Sequence, residues 1–304
     1  MPLDPQVEAM RAEREANDVP QLYTQTLAEA READLASIRA AGGEVEPVHL
    51  VEDITTDAGL PLRVYRPDLT GPLPTLAYFF GGGWTLGSID TADGISRKLA
   101  NAVPCQVVTV GYRLAPEHPF PTAVYDCYEA VKWIAAQLHP DKLVVGGDSA
   151  GGNLAAAVTL LARDNNGPAL SGQLLVYPNT LYGSDTISMR NGADPYLFNK
   201  TSVNWYWKHY LKDPADGTDP LASPLLAESH ANLPPALVIT AEYDPLRDEG
   251  EYYAEKLHAA GVPTTLSRYD GMVHGFFAMS GILDGGKKAM GEASDWLGRI
   301  FTDG

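Results

Sequence analysis

The sequence predicts an α/β protein with a doubly wound, mostly parallel central sheet, and three features carry that prediction. From residue 75 onward, short continuous apolar runs alternate with helix-periodic stretches: "TLAYFF", "CQVVTVGYR", "KLVVGGD", "GQLLVYP", "ALVITAEYD" and "TTLSRYDG". Runs without polar alternation fit strands buried on both faces, as a parallel sheet between two helix layers requires. One of them, "KLVVGGD", passes directly into the long apolar helix pattern "SAGGNLAAAVTLLARD".

The elements follow in order. Two amphipathic helices are expected at the start, in "VEAMRAEREA" and "LYTQTLAEAREADLASIRAAGG", the second closed by Gly42 and Gly43. Residues 1–44 are expected to form a helical cap segment, and residues 45–304 one catalytic domain. "VEPVHLVEDITTD" and "LPLRVYRP" read as two strands joined by a turn at Asp57, Ala58 and Gly59. The α/β alternation is broken once, by an aromatic-rich stretch at about 180–225 without a clear buried strand. It is too long for a plain connection, so it is expected to be an inserted cap over the carboxyl ends of the strands.

Composition narrows the function classes. The 304 residues include 22 Lys and Arg against 39 Asp and Glu, a net charge of −17, which disfavours nucleic acid and anionic membranes as partners. No apolar run approaches the roughly 20 residues of a membrane span, and the acidic, polar N-terminal stretch is unlike a signal peptide. A cytoplasmic location and no membrane span are therefore expected. Cys105 and Cys127 lie in apolar runs without metal-ligand spacing and are expected to be small buried hydrophobes.

At the junction of strand and helix lies Gly147-Asp148-Ser149-Ala150-Gly151. A sharp strand-to-helix turn strains its central residue and exposes that side chain at the top of the sheet, beside a helix N-terminus that favours developing negative charge. Ser149 is thus the expected nucleophile. It needs a base and an orienting acid, which in this arrangement come later in the chain. Asp244 ends the run "ALVITAEYD", and His274 follows the last strand-like run. Asp248 is expected on the first turn of the next helix, Asp270 in a turn, and His118 in a Pro-rich structural loop ahead of the serine. Gly81, Gly82 and Gly83, after the first of the buried runs, leave the backbone bare where amides can approach a substrate oxygen; the amide of Ala150, next to the serine, supplies the other part of such a hole.

The blocks "GGGWTLGS", "YRLAPEHPFP", "GDSAGGNLA" and "DPLRDEG", with "HGF" at 274–276, resemble the hormone-sensitive lipase family of carboxylesterases, within the α/β hydrolases, over nearly the whole chain. The resemblance implies the α/β-hydrolase fold with a helical cap, Ser149 as nucleophile, Asp244 as acid and His274 as base, and oxyanion amides from Gly82, Gly83 and Ala150. It implies hydrolysis of short to medium acyl esters through an acyl-enzyme, with no metal or cofactor, and a possible homodimer acting on a small-molecule ester. The family motif reads His-Gly-Gly-Gly, and Phe80 stands here in the place of its histidine, so the loop's anchoring bonds are expected to differ. Trp84, Tyr182 and Trp205 are the candidate substrate-binding residues, with Tyr196, Phe198, Tyr206 and Trp207 as further aromatics of the cap. Two alternatives stay open: amide or N-acyl hydrolysis by the same residues, and a non-catalytic ligand receptor.

Overall fold

A computed structural model describes residues 2–302; the outermost residues of the two expected segments, 1 and 303–304, lie outside the described residues. Two helices come first, α1 (Pro5–Ala16) and α2 (Leu27–Gly42). Asp4 caps α1 by accepting the Gln6 amide at 2.8 Å, and Thr26 and Glu29 form a reciprocal capping box on α2. Next come β1 (Leu50–Thr55) and β2 (Pro61–Arg66), antiparallel and joined at the expected turn. The alternation then runs β3 (Thr75–Phe79), α3 (Asp93–Ala102), β4 (Gln106–Val110), α4 (Thr122–Gln137), β5 (Leu143–Asp148), α5 (Ala150–Asp164) and β6 (Gly172–Val176). After the irregular stretch holding α6 (Ile187–Asn191) and α7 (Lys200–Tyr210), it resumes with β7 (Ala236–Tyr243), α8 (Arg247–Ala259), β8 (Thr264–Val273) and α9 (Asp284–Thr302).

Among the described residues, eight strands form one sheet in the order β1-β2-β4-β3-β5-β6-β7-β8. β2 runs antiparallel to β1 and β4, and every later pair is parallel. Every residue of β3, β4 and β6 is buried, as their unbroken apolar runs require. The edge strands β1 and β8 are partly exposed. The chain winds outward in two directions from β3, with β4 on one side and β5 on the other, and this reversal opens a crevice at the carboxyl ends of the strands.

The two cysteines are free and buried, as their runs suggest. Asp248 does lie on the first turn of α8, but Asp270 lies in β8 rather than in a turn, because the strand continues to Val273. No helix among the described residues is long and apolar enough to cross a membrane.

Candidate active site

Ser149 sits between the end of β5 and the first residue of α5, with φ 56° and ψ −118°, a conformation that costs a non-glycine residue energy. Hydrogen bonds on both sides hold it there: its amide donates to the Val176 carbonyl at 2.8 Å, and its carbonyl accepts the Asn153 amide at 3.0 Å. A side chain at Gly151 would collide with the Phe79 carbonyl oxygen, so the turn closes this tightly only with glycine. The serine hydroxyl is thereby turned out over the sheet.

Two later loops converge on it. The β7–β8 pairing shifts register between Ala241 and Tyr243, and the chain leaves the sheet at Asp244. The Asp244 carboxylate accepts the Leu246 amide through Oδ1 at 2.8 Å, which leaves Oδ2 for His274 Nδ1 at 2.7 Å. His274 Nε2 lies 2.9 Å from Ser149 Oγ. The Asp244 side chain is fully buried and that of His274 nearly so. The Phe198 ring stacks on the imidazole with centroids 4.1 Å apart, and Tyr177 flanks it at 4.7 Å. His118 is exposed on its loop, far from this chain of contacts in sequence and without a part in it.

The glycine loop lies alongside. Gly82 and Gly83 have φ of +111° and +57°, which glycine adopts without penalty, and among the described residues neither amide donates a backbone hydrogen bond. The Ala150 amide heads α5, one of the donors that a helix leaves unpaired. The loop is anchored from behind. The Gly81 amide donates to Asp148 Oδ1 at 3.1 Å, which also accepts the Tyr78 hydroxyl at 2.7 Å. Burial raises the Asp148 carboxyl above the usual range, and these two donors oppose that. Phe80 stacks on Tyr112 at 4.2 Å, and the Tyr112 hydroxyl donates to the Phe80 carbonyl at 2.7 Å. An aromatic stack and a carboxylate therefore anchor this loop.

Ser149, His274 and residues 81–83 open into one cavity of about 480 Å³. Much of its remaining wall comes from α1, α2 and the 180–225 stretch, and Thr91, Ile95, Met279 and Ile282 complete it. Arg11 on α1 binds Asp194 in that stretch at 2.6 Å, and Glu249 of α8 accepts the Thr180 amide at 2.8 Å, tying down its root. Of the expected substrate-binding residues, Trp205 lines the cavity. Trp84 and Tyr182 do not, and the expectation is corrected for both. Trp84 is fully buried and stacks on Tyr210 at 4.1 Å, because the positive φ of 57° turns it down into the core. Tyr182 packs edge-on against Trp207 and over Gly217, where no side chain blocks its ring.

Several cavity residues escaped the sequence reading: Arg14 on α1, Leu22 after it, and Asp34 and Ile38 on α2. Asp34 had a visible signal, since Ala30, Asp34, Ile38 and Ala41 fall on one helical stripe and an acid interrupts three apolar residues. Its carboxyl is pushed up to about 7, chiefly by burial and then by the nearby charge of Asp148.

Comparison with known proteins agrees with this architecture. A family model described as the α/β hydrolase fold matches residues 76–278. An arylesterase of Saccharolobus solfataricus is 42% identical over 292 residues, covering 91% of this chain and 92% of its own. An ethyl acetate hydrolase of Pseudomonas putida is 35% identical over 306 residues, covering 93% and 95%. The solved structure of a hyperthermophilic esterase from Pyrobaculum calidifontis superposes with a TM-score of 0.93 at 40% identity, covering 99% of each chain.

Proposed function

The chain belongs to the α/β-hydrolase family, and on that premise we propose that it is a serine carboxylesterase acting on short to medium acyl esters. The observation that carries the proposal is the unbroken hydrogen-bonded series from Ser149 through His274 to Asp244, set in a cavity beside three unpaired amides. Asp244 holds the Nδ1 proton of His274, so that Nε2 offers its lone pair to the Ser149 hydroxyl. As Oγ attacks the ester carbonyl, Nε2 takes the proton. The oxyanion rests on the amides of Gly82, Gly83 and Ala150. His274 returns the proton to the departing alcohol, and water, activated in the same way, releases the acid from Ser149. These roles need neither metal nor cofactor.

The N-terminal helices and the 180–225 stretch act in this reading as a cap, which closes the alcohol and acyl sites with an aromatic wall. The named esterases among the relatives support ester substrates. Hydrolysis of p-nitrophenyl esters of increasing acyl length, with Ser149→Ala alongside, tests the proposal. Activity should peak at short to medium chains and fall by about 10⁶ in the variant. A variant that retains the parent's rate would show that Ser149 is not the nucleophile.

A further inference from the structure

Asp34 differs from every other acid near the site. Asp244 and Asp148 have their hydrogen-bond donors, and Glu13, at the cavity rim, is exposed to water. Asp34 lines the cavity with a buried Oδ2 that accepts no hydrogen bond. The arginine one turn earlier on α2 is committed elsewhere: Arg31 donates to the carbonyls of Thr85 and Ala115 and pairs with Glu117. Arg14, the one arginine lining the cavity among the described residues, makes no ion pair or hydrogen bond with Asp34, and its Nε is itself buried without a partner. The groups that act on Asp34 from the elements packed against α2 include Asp148 at the end of β5, Tyr112 after β4, Tyr206 on α7 and the amide of Gly87, none of them a cation. Arg14 and His274 line the same cavity, and His274 is held by Asp244 and Ser149.

A carboxylate removed from water without a counter-charge is costly, and a ligand that brings the charge relieves the cost. Three properties of the surroundings favour a positive ligand. Tyr177, Tyr196, Phe198, Trp205 and Tyr206 line the same cavity, and aromatic faces attract cations. No lysine lines it among the described residues. The chain's net charge of −17 steers cations toward the protein and anions away.

We propose that Asp34 is a specificity residue for ester substrates that carry a protonated amine, whose N–H⁺ donates to the unpartnered Oδ2. The assignment rests on the esterase reading and names the substrate class of the same cavity. The raised carboxyl, about 7, makes the recognition pH-dependent: Asp34 is charged and attractive above neutrality and loses that attraction as it takes up a proton below.

The test compares 2-(dimethylamino)ethyl butyrate with 3-methylbutyl butyrate, which keeps the shape and has C–H where the first has N–H⁺. At pH 8 the ratio of kcat/KM should favour the ammonium ester by roughly tenfold, the size expected of a hydrogen bond to a charged group. The ratio should fall toward one as the pH drops to 6, where the amine stays charged and Asp34 does not; any pH effect common to both esters cancels in the ratio. In Asp34→Asn the ratio should be near one at both pH values. A ratio of one at pH 8 in the parent, a ratio that ignores pH, or a preference that survives Asp34→Asn overturns the assignment. If the variant does not fold, the parent's pH dependence decides alone. Hydrolysis of neither ester overturns the esterase reading as well, whereas equal hydrolysis of both overturns only the role of Asp34.

Discussion

On the sheet side of the cavity, backbone geometry sets the position of each group that the proposed mechanism uses, whereas on the helical side only side-chain packing does. Ser149, Asp244 and His274 each sit within one residue of the end of a strand, in a turn or loop whose hydrogen bonds leave little freedom. Opposite them, α1, α2 and the 180–225 stretch meet the cavity through aromatic stacks and ion pairs. The lesson is one of tolerance. A change on the first wall should remove chemistry, and a change on the second should reshape binding.

Asp244→Asn gives the largest contrast after loss of the serine itself. The shape of the side chain persists, but an amide nitrogen at the Oδ2 position cannot accept the Nδ1 proton, so the imidazole is driven into the wrong tautomer. A fall in kcat of about 10⁴ is expected, with KM little changed. Stopped-flow or steady-state kinetics on a p-nitrophenyl ester would read it, and a loss of less than tenfold would remove Asp244 from the orienting role.

The joint between the two walls offers the second test. Glu249 is fully buried, accepts the amides of Thr180 at 2.8 Å and Leu181 at 3.2 Å, and is pushed up to about 8 by burial. An acid whose carboxyl is raised in the folded state holds a proton that the unfolded chain has already lost. Between the ordinary glutamate range and about pH 8 the native state therefore binds more protons, and stability through this group falls as pH rises. Glu249→Gln keeps a carbonyl oxygen for both amides and never ionises. Its unfolding midpoint should gain on the parent as pH climbs from 5 to 8, by denaturant titration at each pH. A constant gap between the two proteins would contradict this account of the joint.

The contrast also explains what was legible in the sequence. The sheet and the Ser149, Asp244 and His274 positions could be read because unbroken apolar runs, a Gly-x-Ser-x-Gly turn and the order of residues along the chain are one-dimensional signals of backbone geometry. Which face of an irregular segment looks inward is not. Tyr196, Phe198, Trp205 and Tyr206 reach the cavity while Tyr182 and Trp207 pack away from it, and nothing in the local sequence separates the two groups. Trp84 misled for another reason: it follows the glycine loop directly, yet its positive φ reverses the direction of its side chain. Asp34 was legible only as an acid on an apolar stripe, because its meaning depends on α2 lying across the loop at residues 80–87, a contact far apart in sequence.

Phe198→Ala sharpens the comparison at the one point where the helical wall touches the imidazole. The ring covers His274 face to face and shields it from water without bonding to it. Its loss should raise KM and lower kcat together, for a combined effect of roughly fivefold in kcat/KM, since a stacked aromatic pair contributes about 1 kcal/mol. The effect should be larger for long acyl chains than for acetate if the ring also lines the acyl path.

The smallest effect is expected at Arg11, which joins α1 to the 180–225 stretch. Its guanidinium pairs with Asp194 at 2.6 Å and with Glu15 at 2.8 Å and lies 5.5 Å from the Tyr196 ring centroid. Both carboxylates remain partly exposed, so water and salt screen the pairs, and the unfolding midpoint of Arg11→Ala should be that of the parent. What the pairs can do is hold Tyr196 and α1 against each other at the cavity mouth. KM should then rise about twofold at low salt and return to the parent value at roughly 1 M salt, where the screening length is only about 3 Å. If the rise in KM persists at high salt, the arginine acts through the packing of its stem on Tyr196 and not through its charge, and Arg11→Met, which keeps much of that stem, would then restore the parent KM.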